Sequence, residues 1–266
     1  MKGVPAARQG RVPLLKCEGL TLAVPGRVLV RGIDFEVRRG EIWAVLGANG
    51  SGKTTLMHAL AGLAPAPPAA ITVDGAPIEA RGARERAALA GILLQQEDTA
   101  FWGDVLEYVV LGRFAHARTI IGWSREDEDA ALAGLAAVGL DGFGRRRYRT
   151  LSGGERQRAR IAQLLVQDPQ LFLLDEPLQH LDLRHQVAVL GLFGSLTRGQ
   201  DKAVMMVLHD ALWAAQACSH AVLLYEDGAS EAGTVSAVLT RERLERLYGC
   251  RLREVAVEGT TFFAPV

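Results

Sequence analysis

The run Gly47-Ala48-Asn49-Gly50-Ser51-Gly52-Lys53-Thr54 has the composition of a phosphate cradle. Its glycines let the main chain wrap an anion and turn N–H groups inward. A helix starting near Lys53 would aim its positive end at the same anion. In this G-x-x-x-x-G-K-[ST] spacing, Lys53 is expected to reach the outer phosphates of a nucleoside triphosphate and the Thr54 hydroxyl to ligate Mg2+. A second cluster, Leu171-Phe172-Leu173-Leu174-Asp175-Glu176, is an apolar strand ending in two carboxylates. Such a strand would deliver Asp175 to the metal, and Glu176, pointing elsewhere, to orient or deprotonate a water. Alone, this pattern fits a solvated strand end equally well; the phosphate loop is what gives the carboxylates a chemical reading. In a third cluster, Leu151-Ser152-Gly153-Gly154-Glu155-Arg156-Gln157-Arg158, Ser152 and two glycines stand where a helix should begin. That end is a second anion site. Ser-x-x-Glu is also an ordinary capping box, and the two uses share one geometry. One chain thus carries two phosphate-binding helix ends. One triphosphate can use both only if a second protomer supplies one of them.

The elements that must position these groups follow from pattern and punctuation. Leu14 to Val37 reads as antiparallel strands broken at Gly19, Pro25-Gly26 and Gly32. Glu41–Leu46 is a short apolar strand that runs into the phosphate loop, and Lys53–Leu63 is helical in composition. Ala64–Pro68 breaks the chain, and Ile71–Val73 with Asp74-Gly75 is a strand and turn. A helix over Ala80–Ala90 and a strand over Gly91–Gln95 lead into a helical lobe, with helices at Val105–Arg113, Ser124–Val138 and Gly153–Gln167. Strands and helices then alternate through Leu171–Leu174, Leu183–Leu196, Ala203–Leu208, Ala211–Ala217 and Ala221–Tyr225, the rhythm of a parallel sheet. Ser236–Tyr248 holds two short helices, and a terminal hairpin is expected around Gly259.

The octapeptide at 151–158 resembles the signature motif of ABC ATPases, and the resemblance extends over nearly the whole chain. It implies an α/β fold: a P-loop NTPase core with a mixed sheet, an antiparallel β subdomain and an inserted α-helical subdomain. The boundaries would be a RecA-like core at 1–97 and 168–235, a helical subdomain at about 98–167, and a C-terminal extension at 236–266. It implies a homodimer in which Ser152, Gly153 and Gly154 of one copy close over ATP held by the other. That ATP would lie on Gly47, Asn49, Gly50, Ser51, Gly52, Lys53, Thr54 and Thr55. Gln96 resembles the Q-loop glutamine that senses Mg2+ and contacts a membrane partner. Its neighbour Gln95 is the rival; Gln96 is preferred because the run Asp104–Arg113 then falls at the usual downstream spacing. His180-Leu181-Asp182 resembles the D-loop, with Asp182 crossing the dimer interface, and His209 resembles the switch histidine on the γ-phosphate. The implied catalytic set is Glu176, His209, Gln96 and Lys53; the implied Mg2+ set is Thr54, Gln96 and Asp175. Two positions depart from the pattern. Val24 stands where an aromatic often stacks on adenine, and Leu178 stands where threonine is common.

Bulk properties bound the partners. The 266 residues are 49% hydrophobic and 23% charged, ordinary globular composition rather than disorder. Thirty basic and thirty acidic side chains cancel, so no basic field for nucleic acid is expected. Cys17, Cys218 and Cys250 fit no metal-ligand spacing and read as free thiols. The N-terminus has no apolar core of a secretion signal, and no stretch approaches about 18 uninterrupted apolar residues. A membrane role is therefore expected to come through a separate permease, with this chain peripheral on the cytoplasmic face of the inner membrane. The runs VLEYVVLGR and LYGCRLREVAVEGTTFFAPV resemble importers of iron chelates, that is siderophore, haem and cobalamin systems, which implies a permease and an extracytoplasmic substrate-binding protein. The alternatives are an exporter motor, or a non-transport ABC ATPase of DNA repair, ribosomes or iron–sulfur assembly. A long coiled coil or a second motor would mark two of these, and the sequence has neither. Phe101 and Trp102 could fill a core or anchor a partner.

Overall fold

The computed structural model describes residues 12–95, 101–116, 122–199, 201–257 and 260–266. The chain opens with β1 (Leu15–Val24), β2 (Arg27–Val37) and β3 (Ile42–Gly47), followed by α1 (Lys53–Leu60), β4 (Ile71–Val73) and β5 (Ala76–Pro77). Next come α2 (Ala83–Leu89), β6 (Ala90–Leu93), α3 (Val105–Val110), α4 (Arg125–Ala137) and α5 (Gly153–Gln167). The α/β alternation runs through β7 (Leu171–Leu174), α6 (Leu183–Thr197), β8 (Ala203–Val207), α7 (Ala211–Ala217) and β9 (His220–Leu224). The chain closes with β10 (Ser230–Thr234), α8 (Val235–Val238), α9 (Arg241–Tyr248), β11 (Leu252–Val257) and β12 (Thr260–Pro265).

Among the described residues the main sheet has the order β10-β9-β3-β8-β7-β6. Its pairings are parallel except for the antiparallel β9–β10 edge. A second, antiparallel sheet has the order β2-β1-β4-β5, and β11–β12 form a hairpin. The period-2 alternation of strand side chains divides the interior into two cores. Ala44, Leu46, Phe172, Leu174, Val204 and Met206 face the helices and the C-terminal segment. Trp43, Val45, Leu171, Leu173, Met205 and Val207 face α1 and the antiparallel sheet. Central strands buried on both faces must be apolar throughout, and β7 is buried at all four residues.

Helix starts follow the local capping chemistry. Asp104, Ser124 and Ser152 each form a reciprocal capping box, with Glu107, Asp127 and Glu155 respectively. The helical segment α3–α5 packs together, with the Tyr108 and Tyr148 rings stacked 4.1 Å apart. Phe101 meets both rings edge-on at 5.4 and 5.8 Å, so it belongs to this core. Trp102 is 73% exposed, with Arg149 over its face.

The strand expected at Gly91–Gln95 lies at Ala90–Leu93, since only those residues pair with β7. The helix expected at Ala80–Ala90 spans Ala83–Leu89, because Gly82 is extended. The segment Ser230–Thr234 carries no strand signal of its own and becomes β10 by pairing with β9.

Candidate active site

β3 delivers the chain into the phosphate loop, and Gly52, in the left-handed region at φ 101°, turns it into α1. The close approach at the start of the loop admits no side chain. A Cβ on Gly47 would stand 2.5 Å from Ser51 Oγ and 2.6 Å from the Leu224 carbonyl oxygen. Lys53 is only 6% exposed, and its Nζ donates to the carbonyls of Gly47 and Ala48, both at 2.9 Å. The loop thus folds around its own lysine and holds the ammonium at the mouth of the cradle. Burial holds this ammonium below the ordinary lysine range, while Glu176 and Asp175 pull it partly back.

Parallel pairing of β7 with β8, and of β8 with β3, carries Asp175 and Glu176 to the same end of the sheet as this loop. Asp175 is 1% exposed, and among the described residues neither of its carboxylate oxygens meets a donor at good hydrogen-bond geometry. Burial raises its pKa above the ordinary carboxylate range and neighbouring Glu176 adds to the rise; Thr54 beside it, His58 and Lys53 oppose it. A buried carboxylate without partners is costly unless a cation completes it. The donor set of Thr54 hydroxyl and Asp175 carboxylate is the hard-oxygen chemistry that suits Mg2+. Gln96, the third residue expected there, lies outside the described residues. Gln95 is described and half-buried, at the end of the chain leaving β6.

Glu176 occupies a left-handed backbone conformation, φ 54°, as does His180, φ 62°. Two such residues in one short turn mark strain of about 1–3 kcal/mol each, typical of sites where backbone geometry is over-determined. The turn aims the Glu176 carboxylate between two partners: Oε1 lies 2.8 Å from His209 Nε2, and Oε2 accepts from Gln179 Nε2 at 2.5 Å. The carboxyl is nearly buried, whereas the imidazole is half exposed. A carboxylate gripped at both oxygens, beside an exposed imidazole, can hold and deprotonate a water.

At the start of α5, Ser152 Oγ accepts from the Glu155 amide at 3.2 Å, and the Ser152 amide donates to Glu155 at 2.7 Å. The second bond is the main reason the Glu155 carboxyl lies below its usual range. Gly154 is packed against the turn at His180, since a Cβ there would sit 2.8 Å from the His180 carbonyl oxygen. Asp182 caps α6: its carboxylate accepts from the His185 amide at 2.9 Å and meets His185 Nδ1 at 2.8 Å. Thr55 is half-buried in α1, and Asn49 and Gly50 are exposed at the loop tip. Val24, at the position of the expected aromatic, is 42% exposed.

Three residues to which the motifs assign no role tie these segments together. Besides Gln179, Gln157 donates through Nε2 to the carbonyls of Glu176, at 3.3 Å, and Pro177, at 3.1 Å. Its Oε1 accepts from Arg160 Nη1 at 3.0 Å, and Arg160 also donates to the Leu94 carbonyl. Buried side chains of α5 therefore bind both the Glu176 turn and the end of β6. Polar residues on the inner face of a helix were the available signal.

The sequence profile described as ABC transporter matches residues 30–179. The ferric enterobactin transport ATP-binding protein FepC of Escherichia coli is 34% identical over 96% of this chain and 95% of its own length. The hemin import ATP-binding protein HmuV of Streptomyces coelicolor is 39% identical over 92% of this chain and 86% of its own. A solved structure described as an inward-facing, metal-chelate type ABC transporter superposes with a TM-score of 0.83 at 27% identity, over 96% of this chain and 98% of that one. Among the described residues no helix is long and apolar enough to cross a membrane. The match over more than half the chain and the near full-length relatives show that this chain belongs to the ABC transporter family, as one of its ATP-hydrolysing subunits.

Proposed function

We propose that this subunit powers uptake of an iron chelate, a siderophore complex or haem, through a separate permease fed by an extracytoplasmic binding protein. It would sit on the cytoplasmic face of the inner membrane. The relatives support this cargo class by their names, which specify ferric enterobactin and hemin. The observation that carries the catalytic part is the Glu176 carboxylate held between His209 and Gln179, one residue from the unpartnered Asp175.

Lys53 exchanges its two loop carbonyls for phosphate oxygens, aided by the amides of the loop and of the α1 N-terminus. Mg2+, when held by Thr54, Asp175 and Gln96, supplies charge neutralisation on the phosphate oxygens. Glu176 takes the proton of the attacking water, while His209 and Gln179 keep its carboxylate in place. Two copies meet head to tail, so that Ser152, Gly153 and Gly154 of a second copy close over the γ-phosphate, with Asp182 beside the seam. Closing and reopening of that dimer drives the permease as a rigid-body switch. Exposed Trp102 lies on the helical lobe, where a membrane partner is expected to dock. The charge balance offers no basic field for nucleic acid.

Tagged Glu176→Gln protein incubated with ATP and detergent-solubilised host membranes should co-purify with a multi-span permease. Recovery of soluble proteins alone would overturn the importer reading and leave the ATPase standing.

A further inference from the structure

The C-terminal extension reaches the active site through one hydroxyl. Leu244 and Leu247 of α9 are buried at 0% and 3% exposure in the core that α7 shares. The same helix is fastened to the β9–β10 edge by Arg243, which donates to Glu231 at 2.5 Å. Arg246 donates to Asp227 at 2.9 Å and lies 3.9 Å over the Tyr225 ring. Tyr248, at the end of this anchored helix, donates its hydroxyl to the His209 carbonyl oxygen at 3.3 Å, and the Ala211 amide lies against the same phenol oxygen. Burial first, and the Asp210 charge second, push the phenol up to about 12, so it is a neutral donor near neutral pH. On the other side of the turn, the Asp210 carboxylate caps α7 by accepting from the Leu212 amide at 2.7 Å.

The His209 side chain is 52% exposed, so surrounding packing does little to hold it. Its direction is set by the backbone that carries it and by the contact with Glu176. We propose that Tyr248 is a positioning residue for ATP hydrolysis: α9 uses its hydroxyl to fix the His209–Ala211 turn and so keeps the imidazole on Glu176. The C-terminal extension is then part of the ATPase machinery, acting through His209 rather than on the nucleotide. This inference rests on the assignment of Glu176 and His209 given above.

Two variants test it in the full chain, each assayed for kcat, KM for Mg·ATP and Tm. Tyr248→Ala loses ring and hydroxyl and should lower both Tm and kcat. Tyr248→Phe keeps the ring; it should restore Tm to within about 2 °C of the parent while kcat stays about two- to tenfold low, the scale of one neutral hydrogen bond. KM should remain within about twofold, because the hydroxyl makes no contact in the phosphate cradle. Recovery of kcat by Tyr248→Phe overturns the inference, since ring packing then suffices. A Tyr248→Phe chain whose Tm falls together with kcat also overturns it, as the hydroxyl is then structural. If Glu176→Gln or His209→Ala turns over ATP like the parent, the assignment of Glu176 and His209 fails, and this inference with it.

Discussion

Replacing Glu176 by glutamine removes a charge and a base while changing almost no volume. The amide oxygen can still accept from Gln179, which now lies 2.5 Å from Oε2, and the amide nitrogen can face His209 Nε2, now 2.8 Å from Oε1. Both contacts survive as neutral hydrogen bonds if His209 presents an unprotonated Nε2, so the turn keeps its shape. Removing one like charge beside buried Asp175 also leaves nucleotide affinity intact or improved. The lost contribution is general-base catalysis, about 10²–10⁴-fold in rate, or roughly 3–5 kcal/mol of barrier. Phosphate release at saturating Mg·ATP should therefore fall by that factor, while nucleotide retention on a filter rises. Thermal shift provides the control: ligand at about 100 times its Kd stabilises by about 2.7 kcal/mol, and the variant should show at least the parent's increment. Turnover within about threefold of the parent would refute the assignment of Glu176 as the base.

Two further substitutions probe the cradle and the metal position. Asp175→Asn should abolish hydrolysis, erase the Mg2+-dependent part of the thermal shift and raise the Tm of the nucleotide-free chain at neutral pH. The sign follows from linkage: the folded pKa is raised, so folded protein binds the extra proton, and the parent loses stability as pH rises through the interval between unfolded and folded values. The Tm gap between variant and parent should accordingly shrink as the pH is lowered into the carboxylate range. Gly47→Ala places a Cβ 2.6 Å from the Leu224 carbonyl oxygen, a backbone atom that cannot swing away. It should cost about 1–3 kcal/mol, read as a Tm several degrees lower, and should weaken ATP retention because the displaced loop no longer encloses a phosphate.

Much of the site was legible because its chemistry is local. The phosphate loop, the Ser152 cap and the β7 carboxylates are contiguous runs whose backbone conformation follows from nearby glycines, capping side chains and apolar alternation. The helices and central strands were readable for the same reason, with boundaries moved by a few residues where pairing or an extended glycine decided them. The β10 edge was not legible, because Ser230–Thr234 is a strand only by virtue of β9. Phe101 and Trp102, adjacent and chemically alike, also could not be separated: one rests on Tyr108 and Tyr148 while the other faces solvent.

By itself, then, the sequence determined the class of chemistry, the order of the motifs and the candidate residues proposed to bear the phosphate and the proton, since each lies within a few positions of its neighbours in the chain. Only tertiary structure decided that Glu176 is gripped by both His209 and Gln179, that Gln157 and Arg160 bind α5 to two other segments, and that Tyr248 reaches back 39 residues to the His209 carbonyl. Those contacts join residues whose proximity depends on strand order and helix packing. No local pattern encodes which distant donor will meet a given carbonyl.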